Sequence, residues 1–213
     1  MKKRFLCRFV LLVSLSFSFV FASVLQAKER RHDNRITKHV LMLGLTDNVK
    51  SNYFPKMIIS EETGIMTDMI DKEFNTIIME NIMAAANASC MFVPLSVDTF
   101  IDEWASLIKV NNDGDECYSD ISLVPSDDYH KVLDMAGAEY LLVLNQHYLK
   151  WQETPMRTLF HIVSYTLFDK DKDEIYRGNA YFTSMNLERP EKLRKISGKT
   201  SSRIAATVIS KIK

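Results

Sequence analysis

The sequence predicts a single α/β domain: a mixed sheet of about five strands with amphipathic helices packed on it. Three observations predict it. Short apolar runs at 39–45, 90–95 and 140–144 have strand length and alternate with segments of helical spacing. Two longer strand-like runs, 157–168 and 175–184, flank a polar reversal, Asp169-Lys170-Asp171-Lys172-Asp173-Glu174. A final amphipathic segment starts at Pro190. The resulting order is β-α-β-α-α-β-β-β-α, which suits a sheet covered by helices.

Each element has its own warrant. The run 39–45 ends at the turn residues Thr46-Asp47-Asn48. The stretch 49–64 follows as a long connection in which Pro55 opposes helix, and connections of that length tend to be functional. From 65 to 86, Met66, Ile70, Phe74, Ile77, Ile78, Ile82 and Ala85 fall at spacings of three and four, with Thr63 or Thr67 as cap. Pro94 marks the end of the strand at 90–95 or places it on a sheet edge. A second helix opens at Asp98 and carries Phe100, Ile101, Trp104, Leu107 and Ile108, up to a polar loop at 111–118. A third starts at Ser126 and stops at Gly137. The run 140–144 continues as a strand to Trp151, and a turn forms around Pro155. In the last helix, Leu193, Ile196, Ile204, Val208 and Ile212 form the apolar stripe, and Gly198 is a point of bending.

The first 27 residues read as a secretory signal. Lys2, Lys3, Arg4 and Arg8 precede an apolar stretch, and small-residue sites follow at Val20-Phe21-Ala22 and Leu25-Gln26-Ala27. Cleavage is expected after Ala27, leaving a polar arm at 28–38 and a domain at 39–213. The alternative is a retained anchor, because the uncharged run is close to the ~20 residues that span a bilayer. No cysteine stands at the end of the apolar run, so a lipid anchor is not expected.

Removing this segment leaves 23 basic against 27 acidic residues, a net charge of −4. Such a chain has no general attraction for polyphosphate, which argues against nucleic acid. After cleavage no stable membrane insertion is expected. Two cysteines remain, Cys90 and Cys117, and an oxidising compartment makes them a candidate disulfide, against the alternative of two thiols that never meet.

Several landmarks together resemble a known group. They are Val40-Leu-Met-Leu-Gly-Leu-Thr-Asp-Asn48, Ala136-Gly-Ala-Glu-Tyr-Leu-Leu-Val143, and a long hairpin with its turn at 169–174 before a terminal helix. This pattern is similar to the periplasmic anticodon-binding-like domain of the TolB amino-terminal region, CsgG and LpoB. The resemblance implies a non-catalytic module that binds other envelope proteins. It carries over neither pore formation nor outer-membrane anchoring, since the lipoprotein cysteine of CsgG and LpoB is missing.

The chemistry candidates are few. Asp169, Asp171 and Asp173 open like a calcium loop, but Glu174 stands where glycine is wanted and Ala180 where a bidentate acid is wanted. His130, His147 and His161 match no recurring ligand spacing, and no metal or cofactor is expected. No G-x-S-x-G, H-E-x-x-H or glycine-rich phosphate loop occurs. Aromatic residues are more informative. Tyr148, Trp151, His161, Tyr165, Tyr176 and Tyr181 fall on the three carboxy-terminal strands and are expected on one face as a partner platform. Tyr53 and Phe54 form a second candidate contact. The competing expectation for both sets is burial in the core. The function these observations favour is an exported, non-enzymatic envelope accessory protein, periplasmic or secreted, whose partners are other envelope proteins. The alternatives are a small secreted hydrolase without a recognisable motif, or an accessory subunit anchored by its first segment.

Overall fold

A computed structural model describes residues 37–95, 99–113 and 116–212. The segment 1–27 read as a signal, nearly all of the polar arm, and Asp98 lie outside the described residues. The main sheet has six strands. β1 (Lys38–Gly44) pairs in parallel with β3 (Cys90–Pro94) on one side and with β6 (Tyr140–Gln152) on the other. β2 (Val49–Ser51) resumes the pairing along the same strand β6, one turn further on. β7 (Thr158–Asp169) and β8 (Glu174–Ser184) follow β6 as an antiparallel meander, giving the order β3-β1-β6-β7-β8. The expected long hairpin is therefore present, and β3 both ends at Pro94 and takes an edge position.

Helices cover both faces. On one face lie α1 (Lys56–Thr63), α2 (Ile70–Ala84) and α5 (Pro190–Lys211). Ile70, Phe74, Ile77, Ile78 and Ile82 of α2 meet Leu193, Ile204, Ala205 and Val208 of α5 over Val40, Met42, Leu142 and Leu144. On the other face are α3 (Thr99–Ser106) and α4 (Ser126–Ala136), with a two-stranded hairpin of β4 (Lys109–Asp113) and β5 (Glu116–Asp120). There Trp104, Tyr129, Val132 and Leu133 pack on Leu41, Leu43, Leu141 and Val143. The Tyr129 hydroxyl donates to the Asp169 carbonyl at 2.6 Å, pinning α4 to the end of β7. Asp127 and Asp128 oppose the positive end of α4, and Gly137 closes it at φ 58°, where glycine is at ease.

The structure departs from the sequence reading in three places. The stretch 49–64 is a strand and a helix instead of a long connection, because Pro55 stands just before α1, where its missing N–H costs nothing. Neither Thr63 nor Thr67 caps α2: residues 67–69 form one 3₁₀ turn and the helix proper begins at Ile70. The described residues of the segment 111–118 belong to β4 and β5. Their polar sequence hides them, because β5 docks through hydrogen bonds. The Cys117 and Ser119 N–H groups donate to Ser164 Oγ and Thr166 Oγ1, and Asn145 Nδ2 donates to the Cys117 carbonyl.

Cys90 and Cys117 are both free and buried. Cys90 belongs to the core under α2, while Cys117 sits on β5 against the opposite face. The sheet lies between them, so the disulfide does not form. Burial raises both thiols, Cys90 to about 11, which keeps them protonated and unreactive. No described helix is long and apolar enough to cross a membrane.

Candidate functional site

The end of the sheet beyond β2 is built by two side chains that imitate strand pairing. Ser51 Oγ donates to the Leu149 carbonyl at 2.8 Å and accepts from the N–H groups of Tyr53 and Phe54. Asn52 takes the Trp151 N–H at 2.7 Å and donates to its carbonyl at 3.1 Å. These bonds continue the parallel register of β2 along β6 and turn the chain over Trp151. Tyr53 stacks on Trp151 with ring centroids 6.1 Å apart, and Phe54 meets the same ring edge-on at 5.6 Å. Phe54 and Trp151 are half-buried against the core, whereas Tyr53 is 61% exposed. Met57 on α1 and Met156 in the β6–β7 turn are 70% and 73% exposed. A charged edge flanks the cluster: Asp47 pairs with Lys50 and Lys56, and Lys56 also reaches Asp71. Hydrogen bonds from Lys50 and Lys56 hold the Asp47 carboxyl below its ordinary range.

The aromatic platform does not form on one face. A bulge between Leu144 and Gln146 shifts the alternation of β6 by one residue. Beyond it Trp151, with His161, Tyr165 and Tyr176, faces the helices α2 and α5. Tyr148 and Tyr181 face the other way, in one row across the sheet with Ile162 between them. His161 is 1% exposed and stacked on Phe182, which closes it off from any partner. Tyr165 is buried too, and burial pushes its phenol up to about 12.

His161 belongs to a sealed polar chain instead. His147 Nε2 and His161 Nδ1 are 3.0 Å apart, and His161 Nε2 lies 3.0 Å from Ser184 Oγ. Ser184 Oγ donates to the Asn186 carbonyl at 2.7 Å, so its oxygen accepts from His161 Nε2–H. His161 Nδ1 is then the acceptor for His147 Nε2–H. The remaining nitrogen, His147 Nδ1, is buried with no partner among the described residues. Burial lowers His147 to about 3, and burial together with its neighbour lowers His161 well below the ordinary histidine value. Both rings are neutral.

Two of the surface cavities among the described residues border the carboxy-terminal strands. The larger of the two, about 430 Å³, lies between β5 and the β7–β8 turn. Several of its polar groups are engaged by protein partners. Lys172 Nζ donates to the Val124 carbonyl, Arg177 pairs with Glu174 and lies over the Tyr118 ring, and Ser119 donates to Asn145. At the neighbouring turn Asp169 Oδ1 accepts the N–H groups of Asp171 and Asp173, which makes 169–173 a self-bonded reversal. The smaller cavity, about 200 Å³, lies between β8 and α5 and is lined by Tyr165, Tyr176, Arg203 and Thr207, with Tyr181 beside it at the carbonyl that accepts from Thr200. Sequence reading had marked the three tyrosines. It missed Arg203 and Thr207, which are distant in sequence and reach the site only because α5 lies along β8. No group of three or more potential metal ligands occurs among the described residues.

No family model and no curated protein matches the chain. Among solved structures it is similar to a hypothetical protein of Chlamydia trachomatis, with a TM-score of 0.49 and 11% identity over 82% of this chain and 97% of that one. It is also similar to the PelC dodecamer from Paraburkholderia phytofirmans, with a TM-score of 0.38 and 9% identity over 80% and 90%. The LpoB C-terminal domain from Salmonella enterica gives a TM-score of 0.30 and 13% identity over 73% and 90%.

Proposed function

We propose that the chain is an exported, non-enzymatic accessory protein that binds another envelope protein through the aromatic cluster at the end of its sheet. The observation that carries this reading is Tyr53, held open to solvent on the half-buried Phe54 and Trp151. Tyrosine and tryptophan supply contact area at low entropic cost, and centrally placed aromatics dominate binding energy. The loop is already ordered by Ser51 and Asn52, so little is lost on docking. Met57, exposed at the start of the helix that follows Phe54, adds apolar area, and the Asp47–Lys50–Lys56 edge supplies a polar border. A non-catalytic role fits the way several polar groups of the larger cavity and the histidine chain are spent internally.

The test is quantitative co-purification from the native envelope. Wild type, the double variant Tyr53→Ala/Met57→Ala and the remote control Lys72→Gln are compared, with folding checked by thermal melting. The double variant should weaken capture of the partner about 30-fold, the scale of one aromatic hot spot. Equal capture by all three would remove the cluster from the interface. Mass measurement of the exported protein should give a start at Lys28, and a full-length, membrane-bound product would support the anchored alternative.

A further inference from the structure

The β8–α5 cavity begins with a missing side chain. Gly178 stands opposite Tyr165 across the β7–β8 ladder. A Cβ there would lie 2.8 Å from Tyr176 Cε1, 3.0 Å from the Tyr176 hydroxyl oxygen and 3.2 Å from that of Tyr165. Glycine alone lets the two phenols meet over the strand, with ring centroids 6.0 Å apart. The Thr207 hydroxyl of α5, the Tyr165 hydroxyl and the Tyr176 hydroxyl bond in series. Hydroxyl hydrogens rotate to suit their partners, so the Tyr176 O–H at the end of the series can turn to a ligand in the cavity. Such chains polarise and strengthen their terminal donor.

Arg203 stands on the rim, exposed, with no ion pair or hydrogen bond among the described residues. No residue lining the cavity is acidic. Lys211 lies 5.0 Å from the Tyr176 ring centroid. Lys195, Lys199 and Arg203 follow one another at intervals of four on the exposed side of α5, which carries six basic residues and one acidic. The site thus offers donors and positive charge in a molecule whose mature chain carries net negative charge.

We propose that this cavity binds a carboxylate side chain of an acidic polypeptide segment. A guanidinium beside a hydroxyl donor matches the two oxygens of a planar carboxylate, and one guanidinium gives poor compensation for a phosphate dianion. A volume of about 200 Å³ admits one side chain and is below the range of nucleotide-sized pockets. β8 ends the sheet, so an extended segment can approach along it. The inference rests on reading the chain as a protein-binding module, but it concerns a surface separate from Tyr53.

The experiment is fluorescence anisotropy on the purified chain with dye-labelled decaglutamate, and with decaglutamine and a ten-unit polyphosphate as further arms. Decaglutamate should bind and decaglutamine should not. Arg203→Gln should weaken decaglutamate at least tenfold and Tyr176→Phe at least threefold, while Lys72→Gln and Tyr53→Ala/Met57→Ala leave it unchanged. Tyr176→Phe binding like wild type would reduce the effect to the charge of α5 and overturn the site. Tighter binding of polyphosphate, or no binding of decaglutamate, would overturn it as well. Because Tyr53→Ala/Met57→Ala reads out envelope capture and Tyr176→Phe reads out the carboxylate, each idea can fail while the other stands.

Discussion

Gly44 shows how much a single missing methyl can decide. It ends β1 beneath α2, and a Cβ at this position would sit 2.5 Å from Asn75 Cγ. Asn75 occupies that space because it closes a buried polar set: its amide donates to the Leu45 carbonyl at 2.9 Å, and Asn48 Nδ2 donates to its oxygen at 2.8 Å. The pair satisfies backbone where the chain leaves β1 and re-enters the sheet as β2, so the start of the candidate site depends on it. Gly44→Ala forces Asn75 away and leaves buried groups unpaired, at ~1–3 kcal/mol each. The expected loss is about 2–4 kcal/mol in urea denaturation, and a change under about 0.5 kcal/mol would mean that the asparagines rearrange freely.

At the scale of elements, α5 contains a glycine with no steric duty. Gly198 lies inside the uninterrupted helix Pro190–Lys211, and an added Cβ meets nothing within 4 Å. Gly198→Ala should therefore stabilise by about 0.5–1 kcal/mol, read as a higher urea midpoint at unchanged slope. A lower midpoint would show that the helix needs its glycine. The neighbouring Ser197, Ser201 and Ala205 form a buried stripe of small residues where α2 packs closely, and Asn81 Nδ2 donates to Ser197 Oγ across that contact. Elements of this kind, with long apolar periods, were legible in the sequence: β1, α2, β6, β7, β8 and α5. The β4–β5 hairpin was not, since its docking residues Cys117 and Ser119 bond through main chain to side chains 47 positions away. The candidate site was legible only as a set of residue types. Tyr53, Phe54 and Trp151 meet because β2 pairs in parallel with β6, and Tyr148 turns away because of the bulge at Leu144/Gln146. Neither parallel register nor a one-residue bulge leaves a pattern in local hydropathy.

The whole molecule is held shut around two imidazoles, and that ties its stability to pH. His147 and His161 join β6 to β7, and Phe74 of α2 and Phe182 of β8 close over them. Among the described residues Ser184 is the further polar group bonded to the pair, and burial and the partner ring are what lower the two rings. On α2, which carries Phe74, the acidic Asp71 is engaged by the Val49 N–H and Lys56. One shared hydrogen bond accommodates two neutral rings, and a further proton would be a buried cation without a counterion. In the unfolded chain both rings take up protons below about pH 6.5, whereas in the fold they stay neutral to far lower pH. The unfolded state therefore binds more protons, so stability is complete above about pH 6.5 and falls as pH falls. Each ring contributes about 1.4 kcal/mol per pH unit, so the pair should cost about 3–4 kcal/mol between pH 7.5 and 5.0. Asp47, whose carboxyl is lowered, loses its contribution only at more acid pH, outside this window. Urea titrations at the two pH values, on wild type and on His147→Gln/His161→Gln, measure the difference. The variant should lose far less than wild type on acidification, each protein being compared with itself. Equal losses would place the acid sensitivity elsewhere in the molecule.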